Sequence, residues 1–309
     1  MVIDRYEFDA VSVYNDLFFQ PALGPLLLMA PHLRSAQLGP AALNPYTLHP
    51  IEIAGQTAVL DLVTDGRAYL GLVRGAWLDH LHLSQPRPVQ TLREAVALVR
   101  HLLAGRTDGF AGEVFRIWPG DTFRFPVRRA AVPITIGTWG ARTARLAGEV
   151  ADEVKIGGSA NRAQAAYLRP YIAQGERTAG RPVGSVGICV GAVTVIDEDR
   201  ARARARARHE VALYAPIVAP LDPSLRDADW LARIALPAQR GDRTEVARLI
   251  PDDALDRLAF AGSPADVTRQ VEDLVAAGVS RIEFGTPHGL DELEGICLLG
   301  ERVLPSFRV

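Results

Sequence analysis

Several segments of this sequence place chemically useful side chains directly after an apolar or β-branched run. Tyr14-Asn15-Asp16 ends one such run. Asp16 could accept a hydrogen bond from a cofactor or substrate hydroxyl, or serve as a helix N-cap. Leu38-Gly39-Pro40-Ala41-Ala42-Leu43-Asn44-Pro45-Tyr46, followed by His49-Pro50, is a turn of small residues stiffened by proline. Small residues let the backbone approach a flat ring closely, and Asn44 offers an amide to a heterocycle edge. Arg74-Gly75-Ala76-Trp77-Leu78-Asp79-His80 supplies Trp77 as a pocket wall and Asp79 as a ring contact or proton acceptor, or is a plain surface loop. Gly137-Thr138-Trp139-Gly140-Ala141 enters a helical stretch, where free N–H groups and the helix dipole attract anions. Lys155-Ile156-Gly157-Gly158-Ser159 is a second glycine-bearing turn, and together the two make a grip for phosphate or carboxylate. His288, after Phe284-Gly285-Thr286-Pro287, suits acid–base work or anion binding, or a structural loop role.

These segments need elements to position them. Strands are expected at Ala10–Tyr14, Ala36–Pro40, Ala68–Val73, Val132–Ile136, Glu153–Ile156, Gly187–Ile196 and Arg281–Phe284. Helices are expected at Ile51–Leu62, Thr91–Leu103, Ala141–Ala151, Ala163–Thr178, Asp266–Ala277 and Leu290–Val303, with Thr91 and Glu94 as a capping box. Alternation of strand and helix along the chain predicts a parallel sheet, and the absence of a separate all-α or all-β run favours a closed α/β barrel. Sites in such barrels lie in the loops after the strands. One strand is short of the usual eight, so the first βα unit reads as missing or truncated. The expected domain plan is a single barrel over residues 1–309 with a helical insertion at about 197–262. Within it, Arg200, Arg202, Arg204, Arg206 and Arg208 alternate mainly with alanine. The expectation there is a solvated helix with acidic neighbours rather than a nucleic-acid patch.

The chain has 309 residues and a formal net charge of −2, which gives it no basic excess for nucleic acid or anionic lipid. Its longest apolar stretch is too short to span a membrane, and its first residues show no secretory pattern. Cys189 and Cys297 are far apart and lack metal spacing, which fits a reducing compartment and a cytoplasmic protein. Lys155 is the only lysine among 34 basic residues; either a genomic base composition that favours arginine accounts for this, or an ammonium there performs a task a guanidinium cannot. The fingerprints GxGxxG, GxxxxGK[ST], HExxH and GxSxG are all absent, which disfavours Rossmann, P-loop, zincin and α/β-hydrolase chemistry.

Taken in order, Phe8-Asp9-Ala10-Val11, the Leu38–Pro50 turn, Leu60-Asp61 with Gly66-Arg67 and Leu70-Gly71, and Leu146-Ala147-Gly148-Glu149-Val150-Ala151-Asp152 resemble the bacterial luciferase-like family. The likeness spans essentially the whole chain and is strongest to the F420-dependent branch that includes methylenetetrahydromethanopterin reductase. It implies a (β/α)8 TIM barrel with a deazaflavin in its C-terminal mouth, a small organic substrate that exchanges a hydride with it, and a homodimer. It also implies a non-prolyl cis peptide at Ala41–Ala42 behind the ring, ring contacts from Asn44 and Asp79, and a cofactor-tail or anion site at Thr138, Trp139, Gly140, Ala141, Lys155, Gly157, Gly158 and Ser159. The chain departs from the family where relatives carry a histidine (Leu17 here), a glutamate (Ala76 here) and a carboxylate on the first strand. Asp16, Asp79, His49 and His288 remain as candidates for handling the proton. The alternatives are an FMN-dependent monooxygenase and a non-catalytic flavin-binding relative.

Overall fold

The computed structural model describes residues 2–16, 19–226 and 228–308, so Leu17 and Phe18 lie outside the described residues. Strands β1 (Ala10–Val13), β2 (Gln37–Pro40) and β3 (Leu70–Leu72) come first. A small antiparallel hairpin, β4 (Phe110–Ala111) and β5 (Arg116–Ile117), follows. Then come β6 (Ile134–Gly137), β7 (Glu153–Gly157), β8 (Gly187–Ile196), β9 (Ala259–Gly262) and β10 (Arg281–Gly289). Parallel ladders join β1 to β2, β3 to β6, β6 to β7, β7 to β8 and β8 to β10. Leu38 bridges β2 to the approach of β3 at Ala68. The result is a curled parallel sheet with helices outside it, as the alternating pattern predicts.

Strands β3, β6, β7 and β8 show the division expected of a barrel wall. Leu70, Leu72, Ile134, Ile136, Val154, Ile156, Ile188 and Val190 are buried in one core cluster with residues of the surrounding helices. The alternate positions, among them Tyr69, Thr135, Glu153, Lys155 and Glu283, meet one another inside the curl.

Among the described residues no ladder joins β1 to β10. Side chains span the gap instead. Ser12 donates to Glu283 at 2.7 Å, and a Cβ on Gly285 would lie 2.5 Å from the Tyr14 hydroxyl. Nearby, Tyr6 packs on Gly300 and donates to Glu301, while Arg308 donates to the Glu7 carbonyl at 2.8 Å. With one strand neighbour each, β1 and the first half of β10 are only partly buried, whereas β6, β7 and β8 are largely enclosed.

Two expectations need correction. Thr91 is not an N-cap, because the helix starts earlier, at Pro88, whose fixed φ suits a first turn. Glu94 instead accepts backbone N–H bonds from Glu113, Val114 and Phe115 and clamps the β4–β5 hairpin. The stretch at 197–262 is not wholly helical either, since its last four residues form β9 and extend the sheet beside β8. Its arginine-rich helix, Arg200–Val211, is only partly a solvated one. Ala203 and Ala207 are buried, and Arg204 is enclosed between Asp252 (3.0 Å) and Asp256 (2.5 Å).

The Leu60-Asp61 and Gly66-Arg67 motifs have a structural reason. Asp61 is buried and accepts from Arg129 at 2.5 Å and from the Ala68 backbone, and Arg67 donates to the Ala36 and Leu33 carbonyls. Together they pin the turn that leads into β3. Asp61→Ala should therefore lower unfolding stability by about 3 kcal/mol in urea titrations, because it strands a paired guanidinium against buried backbone. A loss below about 0.5 kcal/mol, the level of an ordinary surface change, would contradict this role.

Candidate functional site

The loops that follow the strands meet at one end of the curl, and the floor beneath them is charged. On β7 the inward residues are Glu153 and Lys155, and on β10 they are Arg281 and Glu283. They pair crosswise. Arg281 donates to Glu153 at 2.5 Å, and the Lys155 ammonium donates to Glu283. Both pairs bridge over β8, whose inward positions are Gly187, Cys189 and Gly191. This spacing is required. A Cβ on Gly191 would stand 3.2 Å from Glu283 Oε1 and 3.5 Å from Lys155 Cε. Thr135 donates to Glu153 at 3.0 Å, and Ser12 links Glu283 to the Tyr69 hydroxyl at 2.6 Å.

The two acids respond differently to this shared burial. Burial raises the Glu153 carboxyl above its ordinary range, and Arg281 only partly offsets it. Burial would raise Glu283 as well, but the Lys155 ammonium and the Ser12 hydroxyl outweigh it and hold Glu283 below the usual range. Burial, with Glu153 and Glu283 close by, pushes the Cys189 thiol up to about 12 and keeps it neutral.

Around this floor the predicted residues divide. Asp16 is half-buried, and its carboxyl is raised by burial with Lys155 partly opposing. Tyr14 lies under the Lys155 ammonium, 5.5 Å from ring centroid to nitrogen. Tyr214, from the inserted segment, lies 6.0 Å from Trp77 and is raised by burial and then by Asp16. The Ala41–Ala42 peptide is cis and sits between β1 and β3, with Ala41 N–H on the Val13 carbonyl and Leu43 N–H on that of Gly71. Asn44 is buried and spends its oxygen on the Tyr46 and Thr47 N–H groups. Asp79 stands exposed on a single turn beyond Trp77.

The two glycine turns are stapled together. Trp139 donates from its indole to the Gly157 carbonyl at 2.6 Å, and Gln164 donates to the Trp139 carbonyl. Thr138 accepts from Gly140 N–H, and Gly140 opens the helix Ala141–Val150 without a side-chain cap. Ser159 is buried and accepts from Asn161 N–H. Gly158 holds a left-handed φ of +66° beside Val218, and a Cβ on Gly157 would meet nothing within 4 Å.

Three candidates take places other than those their chemistry suggested. Lys155 is not a loop cation, because strand alternation turns it inward onto Glu283. His49 is exposed at the start of Pro50–Val63, where its Nδ1 accepts from Ile51 N–H. His288 has a left-handed φ of 72°, its Nε2 lies 3.2 Å from the Phe284 carbonyl, and its buried Nδ1 has no partner. Burial lowers its pKa, which favours the neutral ring.

The geometry defines a class: an α/β-barrel protein with a glycine-lined mouth at the C-terminal strand ends. The chain belongs to the luciferase-like monooxygenase family, whose description matches residues 2–281. A 5,10-methylenetetrahydromethanopterin reductase from Archaeoglobus fulgidus is 29% identical over 92% of this chain and 86% of its own. An F420-dependent glucose-6-phosphate dehydrogenase from Nakamurella multipartita is 27% identical over 88% of this chain and 77% of its own. The solved structure of a coenzyme F420-dependent tetrahydromethanopterin reductase from Methanopyrus kandleri superposes with a TM-score of 0.90 at 24% identity, covering 99% of this chain and 93% of that one.

The floor has a signed pH dependence. Glu283, held below its ordinary value, contributes stability that is present at neutral pH and lost as pH falls through its folded value. Lys155→Met removes the cation and leaves a buried carboxylate whose pKa rises instead. The variant should lose about 3 kcal/mol at about pH 7 and recover part of it at about pH 5, because the carboxyl without its cation protonates more readily. Urea unfolding at both values checks this, and an equal loss at both would contradict it.

Proposed function

We propose that the mouth binds the deazaflavin coenzyme F420 and that the protein is an oxidoreductase transferring a hydride between it and a small organic substrate. The observation that carries this reading is the uncapped helix start at Gly140–Ala141, stapled through Trp139 to the second glycine turn at Gly157–Gly158. The relatives support it, since they include F420-dependent reductases and dehydrogenases.

The residues present fit such a coenzyme. Gly71 lets β3 pack closely behind the Ala41–Ala42 turn, because any Cβ there would lie 2.2 Å from the Pro40 carbonyl and 3.1 Å from Ala42 Cβ. The free N–H groups from Ala141 onward suit an anionic tail. Thr138, Trp139, Gly157, Gly158 and Ser159 form the wall beside it. Asn44 has an amide nitrogen left for the ring edge, and Asp79 stands at the rim. Trp77 and Tyr214 would limit water above the floor. When bound, the coenzyme supplies a two-electron hydride donor or acceptor, and the protein supplies orientation, desolvation and charge.

The chain acts in this reading as one domain, with the segment from about 197 to 262 lending Tyr214 to the mouth and β9 to the sheet. Among the described residues no helix is long and apolar enough to cross a membrane. Free Cys189 and Cys297 fit a reducing cytoplasm. The helices Leu23–Met29 and Pro50–Val63 leave Leu28, Val59, Leu62 and Val63 exposed, with the last three at i, i+3 and i+4 on one stripe. Such a stripe suits a homodimer contact.

Two measurements follow. Fluorescence titration should give F420 binding at least about tenfold tighter than FMN, a difference of about 1.4 kcal/mol. Tighter FMN binding would favour a monooxygenase, and binding of neither would remove the hydride-transfer reading. Sedimentation should show a dimer that Leu62→Arg converts largely to monomer, and a monomeric wild type would refute the contact.

A further inference from the structure

We propose that Lys155 is the proton-transfer group of this mouth and that Glu283 is the residue that positions it. The proposal rests on the hydride-transfer reading above and names the group that completes that reaction.

Hydride transfer to a polarised C=O or C=N bond delivers two electrons and one hydrogen to carbon, and the heteroatom must gain a proton. In that direction the π bond breaks, its electron pair moves to the heteroatom, and an ammonium supplies the proton and becomes a neutral amine. The amine then takes a proton back from solvent at the rim, where Asp16 stands. Run in reverse, the neutral amine removes the proton of an alcohol or amine as the hydride leaves carbon. The substrate class is therefore an alcohol–carbonyl or amine–imine pair, and the co-reactant is the deazaflavin.

Lys155 is suited to this for reasons visible in the chain. It is the only lysine, in a protein that uses arginine at every other basic position. A guanidinium keeps its proton, whereas an ammonium can release one. The side chain is largely enclosed, 10% exposed. Of its three N–H donors, one goes to Glu283 and the nitrogen stands over the Tyr14 ring. Among the described residues no other acceptor is bonded to it. Space for an acceptor lies along its own strand, where Gly157 has open surroundings.

The charges facing this ammonium come from several elements. Asp16 approaches from the segment after β1, and Glu153 precedes it on β7. Neutral Cys189 lies on β8, and Arg281 on β10 is engaged with Glu153. Glu283 is the one acid in contact with it, and the Ser12–Tyr69 pair holds the carboxylate's second oxygen. Glu283 thus acts through Lys155 and has a positioning role.

The test uses the whole protein. Formaldehyde with a mild hydride reductant dimethylates lysine, so mass mapping reads the one side-chain amine directly in cofactor-free protein. Lys155 should react in the native state and be protected roughly tenfold by saturating F420. Reaction only after unfolding would overturn the proposal. Lys155→Arg, and the uncharged Lys155→Met with Glu283→Met, should bind F420 within about threefold of wild type yet transfer hydride about 100-fold more slowly in single turnover. The substrate is whichever of glucose 6-phosphate, 2-propanol and methylenetetrahydromethanopterin the wild type turns over, and turnover of none of them by F420-bound wild type would overturn the proton role. Glu283→Gln should shift the pH profile of that step, where a merely structural role would leave it in place. A folded variant with binding intact and a rate within about threefold of wild type would overturn the proton role alone. Failure of wild-type protein to bind F420 would overturn the hydride-transfer reading and the proton role together.

Discussion

The structure depends on one constraint: two oppositely charged pairs must cross the inside of a curled sheet without any charge left over. Glu153 with Arg281 and Lys155 with Glu283 meet that constraint because β8, lying between them, presents only Gly187, Cys189 and Gly191 inward. Larger residues there would separate the partners, and a buried charge without its partner is costly. The pairs also do what a missing strand ladder cannot. They tie β7 to β10, and through Ser12 they reach across the gap to β1.

Much of the fold was legible because barrel strands announce themselves. Seven short β-branched runs separated by helical periodicity became seven parallel strands, each shifted by no more than a few residues. The extension of β10 to Gly289 was not visible, since it runs through Thr286-Pro287-His288 with a register shift. β9 was hidden as well, because Ala-Phe-Ala-Gly is too short to show a period and gains its pairing only from the far end of β8. The Thr91 cap was misplaced because a proline at the first helical position outranked it.

The site was less legible, for a physical reason. Loop composition pointed to the correct end of the strands, and the cis Ala41–Ala42 bond matches what the resemblance implied. The charged floor was overlooked although its signal was present: Glu-x-Lys on one strand and Arg-x-Glu on another, at the spacing of two that puts both on one face. Reading Lys155 with the loop after it, rather than with the strand that carries it, assigned it to an anion grip instead of to Glu283. Tyr214 had no signal at all, since only the folded insertion brings it to Trp77. His49 drew notice for its chemistry but serves as a helix cap.

These features describe a mouth whose walls are glycine and aromatic and whose floor is a neutralised ladder of charge. The chain carries Leu17 and Ala76 where the family resemblance points to a histidine and a glutamate, and it carries buried charge on β7 and β10. The most direct measurement is a crystal structure of the protein soaked with F420. The account predicts density for the ring against Ala41–Ala42, above Lys155 and Glu283, with the tail at the N-terminus of Ala141–Val150. Density confined to any other surface, with the mouth left to solvent, would contradict it.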